Sequence, residues 1–264
     1  MFWTRLLSGI VLVLLALLTI GKGGYVLLFT LLAVSVIGMS EFYRATGVHK
    51  EGYEPLEIAA YLGTVVYYAG MMWKGGAYQI IGAVIVLILI MSVYVFSYPK
   101  YTEQQVMAAF FGFIYVAVML SFVLAARMLP NGMFDVWLIF ICSWGCDTCA
   151  YCVGMLIGKH KMAPVLSPKK SIEGAVGGVA GAILLGIAFA AVTDSSLVSY
   201  GIICGVGALI SMVGDLAASA IKRQTGIKDY GKLIPGHGGI LDRFDSVIFV
   251  APIIYFLARV LTSV

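Results

Sequence analysis

Apolar residues fall into nine long runs that short polar segments separate. The runs cover residues 6–20, 25–39, 55–73, 78–97, 105–129, 134–158, 174–193, 197–215 and 244–262. A helix needs about 20 apolar residues to cross the hydrocarbon core of a bilayer. The pattern therefore predicts an all-α fold, a polytopic membrane helical bundle of about nine transmembrane helices. The first two runs are short for a full crossing, so a re-entrant hairpin is the alternative there.

The composition indicates a membrane domain with little room for a soluble part. Hydrophobic residues make up 61% of the 264 positions, charged residues 11%, and the mean hydropathy is +1.01. A water-soluble domain of this length could not carry these values without exposing apolar surface. We expect a single integral membrane domain over residues 1–264, with N-terminal spans over 1–130. The spans over 134–264 hold most of the candidate catalytic residues and include a signature loop over 215–246.

The basic residues predict the orientation of these spans. If all nine runs cross, the side that holds the N-terminus carries most of the 17 lysines and arginines. That side has Arg5, Arg44, Lys50, Lys100, Lys159, Lys161, Lys169, Lys170, Lys222, Arg223, Lys228, Lys232 and Arg243, whereas the other has Lys22, Lys74, Arg127 and Arg259. The positive-inside rule makes the richer side cytoplasmic, and a bacterial inner membrane is the expected location. The net charge of +4 reflects this orientation and gives no reason to expect nucleic-acid binding.

The polar segment 219–246 carries the densest candidate chemistry. It gathers basic residues, glycines and one histidine, namely Lys222, Arg223, Lys228, Lys232, Arg243, Gly236, Gly238, Gly239 and His237. Glycines let backbone N–H groups approach an anion closely, and clustered cations neutralise phosphate charge. The segment therefore predicts a phosphate-binding turn. A plain solvated loop is the alternative, but it explains neither the glycines nor the carboxylates that follow.

Three aspartates are placed to hold a metal ion near that turn. Asp242 and Asp245 are three residues apart and share one face of the last helix. On the preceding helix one polar stripe is expected from Asp215, Ser219, Lys222 and Arg223, which fall at i, i+4, i+7 and i+8. Mg²⁺ prefers oxygen ligands and bridges carboxylates to phosphates, so we expect Asp215 and Asp242 to bind Mg²⁺, with a second cation left open. The alternative for Asp215 is an ion pair with a nearby basic residue.

Asp147 lies inside the sixth apolar run, among several cysteines. An ionised group at that depth costs at least about 2.5 kcal/mol, so it should face a polar cavity or a cationic partner. Cys142, Cys146 and Cys149 follow one helix face with Cys152 close by, and a single helix cannot wrap four ligands around tetrahedral zinc. We interpret these cysteines as helix packing.

The segment after that run forms a second phosphate-suited cluster. Pro164 and Pro168 break the helix. Lys169, Lys170, Ser171 and Glu173 then follow on the side predicted to be cytoplasmic. The alternative is an ordinary positively charged loop.

These residues together resemble the phosphatidate cytidylyltransferases, also called CDP-diacylglycerol synthases. The family pattern is Ser-x-apolar-Lys-Arg, four residues, Lys-Asp, a small residue, then Pro-x-His-Gly-Gly-apolar-x-Asp-Arg-apolar-Asp. This chain matches it with Ser219, Ile221, Lys222, Arg223, Lys228, Asp229, Gly231, Pro235, His237, Gly238, Gly239, Ile240, Asp242, Arg243, Phe244 and Asp245. The run around Lys169 is also similar, although Ser171 stands where the family has threonine. The specific resemblance covers about residues 144–246.

The resemblance implies that CTP and phosphatidic acid, drawn from the membrane lipid, react with Mg²⁺ to give CDP-diacylglycerol and pyrophosphate. It implies catalytic roles for Asp215, Lys222, Asp242 and Asp245, with Asp245 as a further metal ligand or an orienting group. It implies substrate contacts for Asp147, Lys169, Lys170, Ser219, Arg223, Lys228, Asp229, His237, Gly238, Gly239 and Arg243. A homodimer is left open.

Two other functions compete with this one. A CTP-dependent lipid kinase of the polyprenol or phytol type is similar to the same family but phosphorylates a lipid alcohol. A membrane anion transporter would line its pathway with the same charges, although the sequence has no clear internal repeat of the kind many transporters show. A CDP-alcohol phosphotransferase is disfavoured because its Asp-Gly-x-x-Ala-Arg run is absent from the sequence.

Overall fold

A computed structural model describes residues 2–50, 52, 54–74, 79–236 and 238–262, without side-chain surroundings for residues 2–6 and 74. Within these residues the chain forms nine helices and one two-stranded sheet. The helices are α1 (Phe2–Lys22), α2 (Gly24–Thr46), α3 (Pro55–Lys74), α4 (Gln79–Phe96), α5 (Glu103–Arg127), α6 (Gly132–Ile157), α7 (Ile172–Val192), α8 (Leu197–Gln224) and α9 (Leu241–Leu261). Each predicted apolar run coincides with one of them, so the predicted helical fold is confirmed.

Seven of the described helices, α2 and α4 to α9, are long and apolar enough to cross a membrane. The protein is therefore an integral membrane protein. The first two predicted runs lie in longer helices than expected, of 21 and 23 residues. Gly23, with φ of 63°, separates them, a backbone conformation that glycine adopts without a steric penalty.

The helices belong to two compact units. The first unit comprises Met1–Ser121 and Ile227–Asp242, and the second comprises Phe122–Gly226 and Arg243–Val264. Helix α9 therefore begins in the first unit and continues in the second. The single membrane domain expected from the sequence stays a prediction.

In the first unit, buried tyrosines hold α5 against α2 and α3. Tyr43 Oη donates to the carbonyl of Ala109 at 2.7 Å, and Tyr68 Oη donates to that of Ala117 at 3.2 Å. Helix α5 widens into a π-helical turn over Phe113–Val118, beside these contacts. The hydroxyls thus keep their hydrogen bonds where lipid and apolar side chains offer none.

In the second unit, small residues bring α7 close to α6 and α8. Gly174, Gly178, Ala182, Gly186 and Ala190 repeat every four residues and are all buried. A Cβ atom at Gly178 would lie 2.9 Å from Ala150 Cβ and 3.1 Å from Cys146 Sγ, so glycine makes room for α6 at this point. Such small-residue stripes allow close helix packing in membranes.

The cysteines contribute to this packing. Cys142 and Cys146 are buried, and their thiols approach backbone carbonyls of α8, those of Cys204 and Ala208, at 3.8 and 3.9 Å. Cys152 is exposed. The first two thiols therefore act as small apolar side chains, as the packing interpretation requires.

Between α6 and α7, the segment expected to be a loop is a short antiparallel hairpin of β1 (Lys161–Ala163) and β2 (Ser167–Ser171). Ser171 caps α7, since its Oγ accepts from the backbone N–H of Gly174 at 3.1 Å. The Glu173 carboxylate, in the first turn of α7, contacts His160 Nδ1 at 2.5 Å. This contact holds the residue just before β1 against α7. The strands escaped prediction because their residues lack an alternating apolar pattern.

Candidate active site

A cavity of about 400 Å³ lies in the second unit, among α6, β2, α7 and α8. We name its polar lining residues the polar edge and its apolar lining residues the apolar wall. The polar edge consists of Asp147, Lys169, Lys170, Ser171 and Asp215. The apolar wall consists of Ala150, Tyr151, Gly154, Met155, Met162, Gly174, Ala175 and Met212. A cavity of this kind suits a ligand with a charged head and a hydrocarbon part.

An ion pair crosses the polar edge of the cavity. Lys170 Nζ contacts the Asp215 carboxylate, and both side chains are about one quarter exposed. Asp147 is within electrostatic range of Asp215, Lys170 and Arg243. It thus faces a polar cavity and cations, as expected of an ionisable residue inside an apolar helix. The ion pair considered as the alternative for Asp215 is present.

Asp245 adds a third carboxylate from α9. It is only 8% exposed and is within electrostatic range of Asp215, Lys222 and Asp147. Because neighbouring carboxylates repel one another, most strongly where one of them is buried, such a cluster calls for cations. Lysines from two elements, Lys170 on β2 and Lys222 on α8, supply positive charge here.

Helix α8 places its polar residues by simple periodicity. It continues to Gln224, well beyond the apolar run that ended at residue 215. Asp215, Ser219 and Lys222 are half-buried on one face, whereas Arg223 is exposed. The two basic residues occupy the last turn, where cations interact favourably with the helix dipole.

Arg243 lies at the start of α9 within the second unit. Its carbonyl accepts from Trp144 Nε1 at 3.2 Å, which ties α9 to α6. Its Nε is buried and has no hydrogen-bond partner among the described residues. A phosphate oxygen at this nitrogen would form a charge-assisted hydrogen bond.

In the first unit, the glycine-rich segment folds back on itself just before α9. We name residues 230–236 and 238–240 the glycine hairpin. Asp242 Oδ2 accepts from the backbone N–H groups of Tyr230 at 2.8 Å and Gly239 at 3.0 Å. Ile234 N donates to Gly238 O at 2.8 Å, and Gly238 has φ of +88°, which favours glycine. Asp242 is therefore tied to the backbone of the hairpin.

Glu41 on α2 was missed by the sequence reasoning. Its carboxylate, in a residue only 3% exposed, accepts from Ile240 N at 3.0 Å and Leu241 N at 2.8 Å. Glu41 lies two residues beyond the apolar run 25–39, in a segment expected to be a polar connection, so nothing in that run marked it as a buried residue of a membrane helix.

Within each unit, the structure brings together part of the predicted site. Asp147, Lys169, Lys170, Asp215, Ser219, Lys222, Arg223, Arg243 and Asp245 belong to the second unit, whereas Lys228, Asp229, Gly238, Gly239 and Asp242 belong to the first. Arg223, Lys228 and Asp229 are exposed. His237 lies outside the described residues. Shared metal binding by Asp215 and Asp242 stays a prediction.

The carboxylates offer the oxygen ligands that Mg²⁺ prefers. Among the described residues, however, no group of three His, Cys, Asp or Glu side chains is arranged to hold a metal ion. The carboxylate oxygens are thus ligands of the type that Mg²⁺ binds, and Mg²⁺ binding stays a prediction.

The fold and the cavity define an integral membrane protein with a site suited to phosphate and hydrocarbon. A sequence model of the cytidylyltransferase family matches residues 3–261, and the chain belongs to this family.

Its relatives include proteins named phosphatidate cytidylyltransferase. The one from Staphylococcus epidermidis is 30% identical over 261 residues, which cover 96% of this chain and 97% of the relative. The one from Staphylococcus aureus strain COL is 36% identical over 172 residues, 64% of this chain, and the match spans 65% of that relative, slightly less than two thirds. The one from Synechocystis is 40% identical over 143 residues, 51% of this chain and 46% of the relative.

Proposed function

We propose that the chain transfers the cytidylyl group of CTP to phosphatidic acid, giving CDP-diacylglycerol and pyrophosphate. Membership of the cytidylyltransferase family over residues 3–261 carries this proposal. The names of its relatives, phosphatidate cytidylyltransferase, and the polar-edged cavity of the second unit support it.

The cavity supports the choice of a phospholipid substrate. Lys169, Lys170 and the Ser171 hydroxyl on its polar edge suit a phosphomonoester. Tyr151 and Met155 on its apolar wall are 70% and 67% exposed, as expected of side chains that meet hydrocarbon. In this proposal the lipid phosphate binds beside the lysines, and the glycerol and first acyl carbons contact the apolar wall.

The reaction needs no covalent enzyme intermediate. An ionised oxygen of the lipid phosphate attacks the α-phosphorus of CTP, the bond from that phosphorus to the β-bridging oxygen breaks, and pyrophosphate leaves. The nucleophile is already an anion, so no general base is required. Lys170, Lys222 and Arg243 would stabilise charge on the reacting phosphates, and fixing the two reactants in line supplies much of the rate.

Mg²⁺ when bound would neutralise polyphosphate charge and polarise the reacting phosphate. We propose Asp215 and Asp242 as its ligands, with Asp245 as a further ligand or an orienting group. The mutually repelling carboxylates of the second unit, of which Asp245 is buried, support a cation there. With Mg²⁺ bound, the Asp215 carboxylate would contact the ion instead of Lys170. The Lys170 ammonium would then be free to contact a substrate phosphate.

For CTP we propose the glycine hairpin and the basic residues around it. Gly238, Gly239, Lys228 and Asp229, with His237, would contact the polyphosphate or ribose. Lys228 is exposed, and an exposed cation beside the hairpin supports phosphate binding there. We further propose nine crossings in a bacterial inner membrane, with the N-terminus and the active site on the cytoplasmic side.

Two labels on CTP test the proposed function. Purified protein in detergent is incubated with Mg²⁺ and either phosphatidic acid or a polyprenol, with CTP labelled in its cytosine ring or in its γ-phosphate. We expect the ring label, and not the γ-phosphate, to enter lipid, and only with phosphatidic acid. Transfer of the γ-phosphate to the polyprenol would identify a lipid kinase instead.

A further inference from the structure

Glu41 holds the start of α9 from a helix about 200 residues earlier in the chain. Its two carboxylate oxygens accept from consecutive backbone N–H groups, those of Ile240 and Leu241, at 3.0 and 2.8 Å. The first N–H groups of a helix lack partners within the helix and carry partial positive charge. A buried carboxylate is therefore stabilised at this position, and it fixes where α9 begins.

Two glycines make room for that carboxylate. A methyl group added at Gly231 would lie 2.7 Å from Glu41 Cδ, and one at Gly239 would lie 2.5 Å from it. Both distances are shorter than real contacts of a Cβ atom. The glycine hairpin is thus built around Glu41.

Asp242 binds the same hairpin. Its Oδ2 accepts from Tyr230 N and Gly239 N, so two carboxylates together bind four backbone N–H groups of one short segment. Glu41 and Asp242 also repel each other electrostatically. The orientation of Asp242 therefore depends on the hairpin that Glu41 keeps in place.

We propose that Glu41 is a positioning residue for nucleotide transfer: it holds the glycine hairpin in the shape that binds the CTP polyphosphate and orients Asp242. This inference rests on the proposed function, since it assigns the nucleotide to the hairpin. It explains why an acidic side chain is buried near the end of α2, where an ionisable group is costly without partners.

Glu41→Gln tests the proposal, because glutamine keeps the size but can accept through only one atom. Losing one charge-assisted hydrogen bond corresponds to about 10- to 100-fold in rate. We expect kcat/KM for CTP to fall by about that factor while KM for phosphatidic acid changes less than about twofold. Amide hydrogen exchange at Ile240 and Leu241 should accelerate, and Glu41→Asp, which keeps the charge, should recover part of the activity.

Glu57→Gln is the matched control. Glu57 is an equally buried carboxylate of the first unit, but it contacts His49 at 2.8 Å and Tyr61 at 3.1 Å. We expect this variant to keep both the CTP kinetics and the exchange rates of Ile240 and Leu241. If Glu41→Gln does not fold, Gly231→Ala displaces the same carboxylate and should give the same selective loss for CTP.

The inference is overturned if kcat/KM of Glu41→Gln for CTP stays within about twofold of the wild-type value. A rise in KM for phosphatidic acid by the same factor as the fall in kcat/KM for CTP would also overturn it. It is also overturned if Glu57→Gln gives the same kinetic pattern, because Glu41 would then only stabilise the fold. A wild-type protein that transfers no cytidine label to any lipid overturns the proposed function instead. The exchange comparison would still report on the contact between Glu41 and the hairpin in that case.

Discussion

Replacing Asp242 separates its structural role from its chemical one. Asparagine keeps an oxygen that can accept from Tyr230 N and Gly239 N, but it loses the charge. Hydrogen bonds to charged groups contribute about 1.5–3 kcal/mol, against about 0.5–1.5 for neutral pairs. Asp242→Asn should therefore destabilise the protein by roughly 2–3 kcal/mol over the two bonds. Asp242→Ala leaves two buried N–H groups without an acceptor, at about 1–3 kcal/mol each.

The assay combines thermal unfolding in detergent with turnover of CTP and phosphatidic acid. We expect Tm to decrease from wild type to Asp242→Asn to Asp242→Ala. Asp242→Asn should lose turnover by more than about 100-fold while it stays folded, since metal binding needs the carboxylate. A near-normal rate in Asp242→Asn would remove Asp242 from the metal site. Equal Tm values for the two variants would refute the idea that Asp242 stabilises the fold by accepting hydrogen bonds from the hairpin backbone.

Two further predictions concern charges elsewhere. Lys170→Met removes the cation paired with Asp215 and should raise KM for phosphatidic acid by about 10-fold or more. The control Lys161→Met, on the neighbouring strand but outside the cavity, should leave this KM unchanged. Equal increases in KM for the two variants would contradict the proposed lipid site. The Lys100 ammonium, 2.6 Å from Glu54, holds the pKa of Glu54 below its ordinary 4.5. The ionised carboxylate therefore stabilises the fold above pH 4.5, and this contribution is lost as the pH falls through the lowered pKa. The Tm difference between wild type and Glu54→Gln should accordingly be largest near pH 7 and shrink below pH 4.5, and a constant difference would refute this role.

The helices could be predicted because their signal is local. Each apolar run marks a segment that must satisfy its backbone hydrogen bonds internally, and the helices begin and end within a few residues of the runs, except where polar residues continue a helix. Helix α8 is the clearest case. Its last turns carry Asp215, Ser219 and Lys222, so hydropathy falls at residue 215 while the helix continues to Gln224.

The contacts of the site could not be predicted in the same way. Glu41 accepts hydrogen bonds from residues 199 and 200 positions later, and no periodicity in one sequence encodes that pairing. Asp242 was expected as a metal ligand from its spacing, yet spacing gave no sign that its Oδ2 also binds the hairpin backbone. The Lys170–Asp215 pair depends on a β-hairpin whose residues read as a loop. Residue types thus indicated the chemistry, while tertiary contacts decided the partners.

The central claim is that the lipid phosphate itself attacks the α-phosphorus of CTP. Phosphatidic acid carrying oxygen-18 in its phosphate group tests this most directly, with mass spectrometry of both products. We predict that CDP-diacylglycerol keeps all of the heavy oxygen, one atom of it in the new bridge, and that pyrophosphate contains none. Heavy oxygen in pyrophosphate or in water would contradict the account.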